Sequence, residues 1–85
     1  MKTIASYTVY LPDYALSYLV NDDSSGIEEE DKKTIDSYME FFYHEAKINN
    51  GSVIIDTTSN ESFFTWSPAF GLACNCFKAS IIILK

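Results

Sequence analysis

The segment from Glu28 to Ile48 constrains the fold more than any other part of the chain, because its apolar residues recur at helical spacing. At about 100° per residue, five apolar side chains fall within about 60° of one direction. They are Ile35, Tyr38, Met39, Phe42 and Ala46. The opposite side of this helix holds Ser37, Glu40 and His44. The turn-forming stretch INNGS follows, so we predict a long amphipathic helix that ends with a left-handed residue there.

A strand and a short helix are predicted before this long helix. Residues 4–11 are rich in β-branched and aromatic side chains, which is typical of a strand. Pro12 then breaks the strand and suits the first turn of a helix over 12–20. That helix would turn four side chains toward the core and stop at the turn-forming residue Asn21. The four are Ala15, Leu16, Tyr18 and Leu19.

Three further strands are predicted after the long helix. They cover residues 52–57, 62–66 and 76–84, and the first two are separated by TSNE at close to hairpin spacing. The last ends in an apolar run that suits a strand inside a sheet. A chain of 85 residues has material for one modest core. We therefore predict a single α+β domain over residues 1–85, with the order β-α-α-β-β-β, an antiparallel or mixed sheet and both helices on one face.

The negative charge of the chain is concentrated in its second quarter. The formal net charge is −6, yet residues 21–46 hold nine acids and two lysines, and the segments on either side are close to neutral. A local negative field repels a phosphate backbone and attracts a cation or a basic protein surface. The chain also lacks arginine, the usual bidentate phosphate ligand. We therefore expect a basic protein partner and no direct nucleic-acid binding.

No segment of the sequence has the composition of a membrane anchor. The first residues, MKTIASYTVYLP, contain one lysine and no sustained apolar run, so we expect no signal peptide. No window approaches the ~18 apolar residues of a spanning helix. We expect a cytoplasmic protein that does not bind membranes.

The stretch NDDSSGIEEEDKK, residues 21–33, groups six carboxylates around one glycine. It departs from a calcium-binding EF-hand loop, because aligning Gly26 with position 6 places Lys32 where a bidentate glutamate is required. A weaker cation or ligand site using Asp22, Asp23 and Glu28 stays open. The structural alternative is a turn over residues 22–26, followed by acids that meet the unpaired N–H groups of a first helical turn. Those acids are Glu28, Glu29, Glu30 and Asp31.

The number of acidic residues at the start of this helix exceeds what helix stability requires. Successive carboxylates repel one another, and the gain from the helix dipole saturates within the first turn. The surplus charge fits either a surface that faces a partner or an ordinary contribution to solubility.

The sequence contains few residues that could act in catalysis or bind a metal. His44 lies opposite the core direction of its helix, where we expect a solvated face rather than an acid–base site. Cys74 and Cys76 share one strand face and lack the further ligands of a zinc site, so we expect plain buried or half-buried cysteines. No nucleophile elbow or glycine-rich phosphate loop is present. We expect no catalytic residue, no cofactor and no metal.

The aromatic group FFTWSPAF, residues 63–70, is the second feature that favours an interaction surface. In a strand, Phe64 and Trp66 share one face and Phe63 lies on the other. Helices cover only one side of a sheet, so we expect either Phe63 or the Phe64–Trp66 pair to be semi-exposed, as at interaction sites. The alternative is a second small core under the SPAF loop, closed by Phe70.

The chain resembles a family of small acidic bacterial and phage- or plasmid-encoded proteins of unknown function. The resemblance covers about two-thirds of the chain, and the Ser-Gly turn with Ile-Asp is its most specific part. It rests on Leu11, Pro12, Tyr14, Asn21, Asp23, Ser25, Gly26, Ile35, Asp36, Phe63, Phe64 and Trp66. The chain departs from the family pattern at Tyr18, at Leu19 and in the CNC segment. The resemblance implies a mobile-element setting and no particular activity.

Together these features predict a non-enzymatic protein-binding module, monomeric or homodimeric. It would be an acidic inhibitor of a host defence protein, as anti-CRISPR proteins are, or of a nucleic-acid-handling protein. The acidic residues would engage a basic surface and the aromatic residues would anchor it. The predicted contact residues are Asp22, Asp23, Glu28, Glu29, Glu30, Asp31, Phe63, Phe64 and Trp66. The alternative is a small cation- or ligand-binding accessory domain that uses the acidic turn.

Overall fold

A computed structural model of the chain describes residues 2–85, which form four strands and two helices. The elements are β1 Thr3–Leu11, α1 Asp13–Asn21, α2 Glu29–Ile48, β2 Ser52–Thr57, β3 Phe63–Ser67 and β4 Leu72–Leu84. All strand pairs are antiparallel. The predicted α+β class and the order β-α-α-β-β-β are confirmed. Within residues 2–85, no helix combines the length and the apolarity needed to cross a bilayer.

β4 lies at the centre of the sheet and pairs with every other strand. Its second part lies between β1 and β2, with Ile81 opposite Tyr7 on one side and Ile55 on the other. Its first part pairs with β3, where Cys76 lies opposite Phe63. The interior position predicted for the last strand is confirmed.

The hairpin predicted between residues 52–57 and 62–66 is wrong. β2 and β3 are both antiparallel to β4, so they run in the same direction and cannot form a hairpin with each other. The hairpin is instead β3–β4, and its four-residue turn ends at Gly71, whose φ of 66° is left-handed. β4 consequently begins at Leu72, four residues before the predicted start.

Alternate residues of the strands build the core against the two helices. Val9 and Leu11 of β1 and Ala79 and Ile81 of β4 are buried on one face of the sheet. Both helices pack on this face, and all four predicted α1 contacts are buried or half-buried. From α2 the predicted stripe is confirmed, with Tyr38 half-buried and the others buried: Ile35, Met39, Phe42 and Ala46. The opposite face of the sheet stays open, as the exposed side chains of Ser6, Thr8 and Ile54 show.

Gly51 joins the end of α2 to the start of β2 at a point of close backbone approach. Asn50, with φ 54°, is the left-handed residue expected in this turn, and the N–H of Gly51 donates to the carbonyl of Ala46 at 2.8 Å. A Cβ added at Gly51 would collide with the main-chain carbonyl of Leu84. The helix end therefore packs directly on the last residues of β4, and glycine is required there.

We predict that Gly51→Ala lowers the free energy of unfolding by about 1–3 kcal/mol, because either the backbone of β4 or the turn must shift. Urea denaturation followed by circular dichroism measures the change. Gly26→Ala is the matched control, since a Cβ there meets only the Cβ of Tyr14 at 3.9 Å, an ordinary contact. Equal stability of the two variants would contradict the close approach at Gly51.

Candidate functional site

The outer face of the β3–β4 hairpin exposes two large aromatic rings. Phe64 is 71% exposed and Trp66 is 58% exposed. Phe64 lies opposite Asn75 and Trp66 opposite Ala73, so the neighbouring strand offers only small side chains beside the rings. We define the outer hairpin face as these four residues. The Phe64–Trp66 pair is therefore exposed, and Phe63 on the other face is also 44% exposed, so the strand does not divide its rings into one exposed and one covered set.

The inner face of the same hairpin forms a second small core. The ring of Phe63 makes an edge contact with Tyr10 at a centroid distance of 5.7 Å, and Phe70 packs beside Tyr14 at 6.1 Å. The hydroxyl of Ser67, a residue with no exposed surface, donates to the main-chain carbonyl of Tyr10 at 2.8 Å. The small core considered as an alternative is thus also present. It holds the hairpin against the end of β1 and the start of α1.

The two cysteines belong to this inner face. Cys76 is buried, Cys74 is half-buried, and their sulfur atoms are 3.4 Å apart with no disulfide between them. Burial, followed by the neighbouring Cys74 thiol, raises the pKa of Cys76 to about 11. Because a protonated thiol is a poor nucleophile and a poor metal ligand, Cys76 packs as a small apolar side chain. The prediction of buried or half-buried cysteines is confirmed.

The acidic segment, which we define as residues 22–31, begins as a turn with local structural roles. Asp22 closes α1 in a left-handed conformation with φ 53°, and its N–H donates to the carbonyl of Ser17. The carboxylate of Asp23 accepts hydrogen bonds from the N–H of Ser25 at 3.0 Å and from its hydroxyl at 2.6 Å. These bonds lower the pKa of Asp23. Both aspartates shape the turn, as the structural alternative predicts.

The remaining acids of this segment surround the start of α2. Glu28 is the residue that precedes the helix, and its side chain makes no capping hydrogen bond. Glu29, Glu30 and Asp31 occupy the first helical turn, where the helix dipole favours negative charge. Asp31 is half-buried and the other three side chains are exposed. The carboxylates therefore form one solvent-facing patch at one end of α2.

Contacts between α1 and α2 hold this end of the molecule together. The hydroxyl of Tyr18 donates to the carboxylate of Asp36 at 2.6 Å, and the ammonium of Lys32 lies 5.7 Å from the centre of the Tyr18 ring. The hydrogen bond to Asp36, followed by burial and the negative charge nearby, raises the pKa of Tyr18 to about 12. Tyr18 is thus a link between the helices, a role that its position in the sequence does not reveal.

The acidic segment and His44 are separated by much of α2. His44 is exposed, as expected, and lies 13 residues beyond Asp31, about 20 Å along the helix axis. Within residues 2–85, no group of three or more histidine, cysteine or acidic side chains is arranged to hold a metal ion. The structure therefore does not place the acidic segment beside the imidazole.

A groove that was not expected from the sequence runs along α1. Its volume is about 350 Å³, and it lies between α1, the end of β2 with the loop after it, and β4. Its apolar lining residues are Leu16, Val20 and Phe77. The polar ones are Asp13, Ser17, Asn21, Thr57, Ser59 and Asn60. Because three separate parts of the chain form this groove, no local sequence motif predicts it.

We predict that Asp36→Asn moves the pKa of Tyr18 down from about 12 toward 10, because it removes the hydrogen bond that is the main cause of the raised value. The raised pKa means that the hydrogen bond stabilises the fold fully below pH 10 and loses this effect as pH rises through about 12. A ¹³C NMR titration of the tyrosine Cζ resonances measures the Tyr18 pKa in the unmodified protein and in Asp36→Asn. Asp56→Asn, which removes an exposed carboxylate elsewhere, is the control. An unchanged Tyr18 titration in Asp36→Asn would contradict the assigned cause.

Comparison with known proteins identifies one family. The sequence profile described as "Domain of unknown function (DUF6926)" matches residues 8–83, which include both helices, β2, β3 and nearly all of β4. No curated protein and no solved structure matches the chain. The resemblance to a family of unknown function is confirmed at that level, whereas the mobile-element setting and the residue pattern stay predictions. Since the match spans most of the chain, the protein belongs to the DUF6926 family of domains of unknown function.

Proposed function

We propose that this protein is a non-enzymatic protein-binding module whose main contact surface is the outer hairpin face. The observation that carries the proposal is the exposure of Phe64 and Trp66 side by side on one strand. Aromatic residues, and tryptophan above all, are enriched among the few residues that dominate binding energy at protein interfaces. Phe63, which is 44% exposed on the other face of the strand, contacts Tyr10 and takes a supporting part by holding the hairpin in place.

The acidic segment supports a partner with a basic surface. Asp22 and Asp23 form the turn, yet the four acids from Glu28 to Asp31 extend beyond what a helix start needs. Glu28, Glu29 and Glu30 are exposed and Asp31 is half-buried, so their field reaches an approaching protein. A basic surface would be attracted to this end of α2, and a phosphate backbone would be repelled.

We further propose that the partner is a host defence protein or a nucleic-acid-handling protein, which the chain inhibits in the cytoplasm as a mobile-element product. Proteins that bind nucleic acids carry positively charged surfaces, which an acidic binder can occupy. The resemblance to phage- and plasmid-encoded proteins supports the same setting. The alternative cation-binding function gains no specific support, because the Asp23 carboxylate is engaged by Ser25.

We predict that the double variant Phe64→Ser, Trp66→Ser weakens partner binding by at least about 30-fold, as expected for removal of interface residues worth about 2 kcal/mol or more. The unmodified protein and the double variant are each immobilised and used to capture partners from a lysate of the host. Mass spectrometry identifies the proteins that the variant no longer captures. Trp66 is the single tryptophan of the chain, so its fluorescence should shift to the blue when the purified partner buries it.

The matched control for this experiment is Tyr43→Ser, Ile48→Ser. These two α2 residues are 51% and 61% exposed, so the control removes a similar amount of exposed apolar surface from another element. Circular dichroism establishes that both variants fold. If hairpin and control variants capture the same proteins equally well, the outer hairpin face is not the contact surface.

We predict that converting Glu28, Glu29 and Glu30 to Gln and Asp31 to Asn slows partner association about tenfold at low salt and flattens its salt dependence. Charges on an interface act mainly on the association rate, and salt screens them. Stopped-flow measurements of Trp66 fluorescence between low and high salt give both quantities.

A control with the same change in net charge separates position from charge. It converts Glu40, Glu45 and Glu61 to Gln and Asp56 to Asn, all outside the acidic segment. We expect a smaller loss of association rate in this variant. An association rate that is independent of salt in the unmodified protein, or equal losses in the two variants, would assign the acidic segment to solubility alone.

A further inference from the structure

The groove along α1 has the shape and polarity of a site for an extended chain. It is open to solvent along one helix, and its apolar lining consists of the buried Leu16, the half-buried Phe77 and the exposed Val20. Asp13 and Asn21 mark its two ends on α1, eight residues and therefore about 12 Å apart. A small ligand would be enclosed on more sides than an open groove allows.

Negative charge lies at one end of this groove and next to the other. Asp13 lines one end, and its side chain is exposed. Asn21 lines the other end, and the exposed Asp22 directly follows it in the chain. The lining contains no lysine to balance these charges. A second copy of this chain, with its own net charge of −6, is a poor occupant for electrostatic reasons.

We propose that the groove binds an extended basic peptide segment of the partner. In an extended chain, residues i, i+2 and i+4 face one side, and i and i+4 are about 13 Å apart. Basic residues at i and i+4 would then approach Asp13 and Asp22, while an apolar residue at i+2 lies against Leu16 and Phe77. The site rests on the proposed function and names the part of the basic partner that is recognised.

The test is an NMR titration of the isolated protein with the capped pentapeptide Arg-Ala-Leu-Ala-Arg. We expect saturable amide shifts at Leu16, Val20, Thr57 and Phe77. Asp13→Asn should weaken the affinity about fivefold, the upper end for a solvent-exposed ion pair. Glu40→Gln removes an exposed carboxylate outside the groove and should leave the affinity unchanged.

Two control peptides test the spacing and the charge. The isomer Arg-Arg-Leu-Ala-Ala has the same composition and charge but the wrong spacing, and Gln-Ala-Leu-Ala-Gln has the right spacing and no charge. Weaker binding of both supports the proposal. Shifts confined to the acidic segment, equal affinity for the two arginine peptides, or no effect of Asp13→Asn would overturn it. Shifts that depend on protein concentration without peptide would instead assign the groove to a second copy.

The peptide experiment is independent of the experiment on the outer hairpin face. It needs no natural partner, and Phe64→Ser, Trp66→Ser leaves every groove residue in place. Peptide binding with no loss of capture in the hairpin variant would support the groove and contradict the hairpin. Loss of capture without peptide binding would support the hairpin and overturn the groove.

Discussion

The backbone of β4 is the one element on which every other strand depends for its hydrogen bonds. β1 and β2 flank its second part, where Ile81 and Ile83 are buried, and β3 pairs with its first part. A buried strand with neighbours on both sides satisfies its N–H and C=O groups only within the sheet. Thirteen residues of β4 thus connect two structures with different roles, a helix-covered sheet and a hairpin.

The position of the hairpin follows from this shared strand. Because β3 pairs with the part of β4 beyond the end of β1, its inner face lies against Tyr10 and the start of α1. Phe63, Ser67 and Cys76 belong to that inner core. The other side of the two-stranded hairpin has no covering layer in the part of the chain that the structure describes. The loop that leads from β2 into β3 also forms one wall of the groove. The outer hairpin face and the groove therefore both depend on the pairing of β3 with the first part of β4, beyond the end of β1.

Local patterns predicted the helices and β1, whereas pairing that depends on distant residues was missed. The α2 stripe from Ile35 to Ala46 is a property of one segment, and its periodicity is sufficient to locate it. The first residues of β4, Leu72 to Asn75, show no strand pattern of their own and are extended because β3 pairs with them. The two-residue repeat of side chains along a strand correctly predicted that Phe64 and Trp66 share a face. Which face is exposed depends on where the hairpin packs, and the groove depends on three separate parts of the chain.

The two proposed contact features differ in how rigidly they are held, and this difference assigns them different physical roles. Phe64 and Trp66 lie on a strand whose opposite face is fixed by Phe63 on Tyr10 and by the Ser67 hydrogen bond. Because the strand backbone that carries the rings is fixed in this way, little backbone entropy is lost on binding, so the rings act on the lifetime of a complex. Of the acids from Glu28 to Asp31, three are exposed and Asp31 is half-buried, and a direct ion pair at an exposed carboxylate contributes little. Their field acts over about 10 Å before contact, so they act on the rate of encounter.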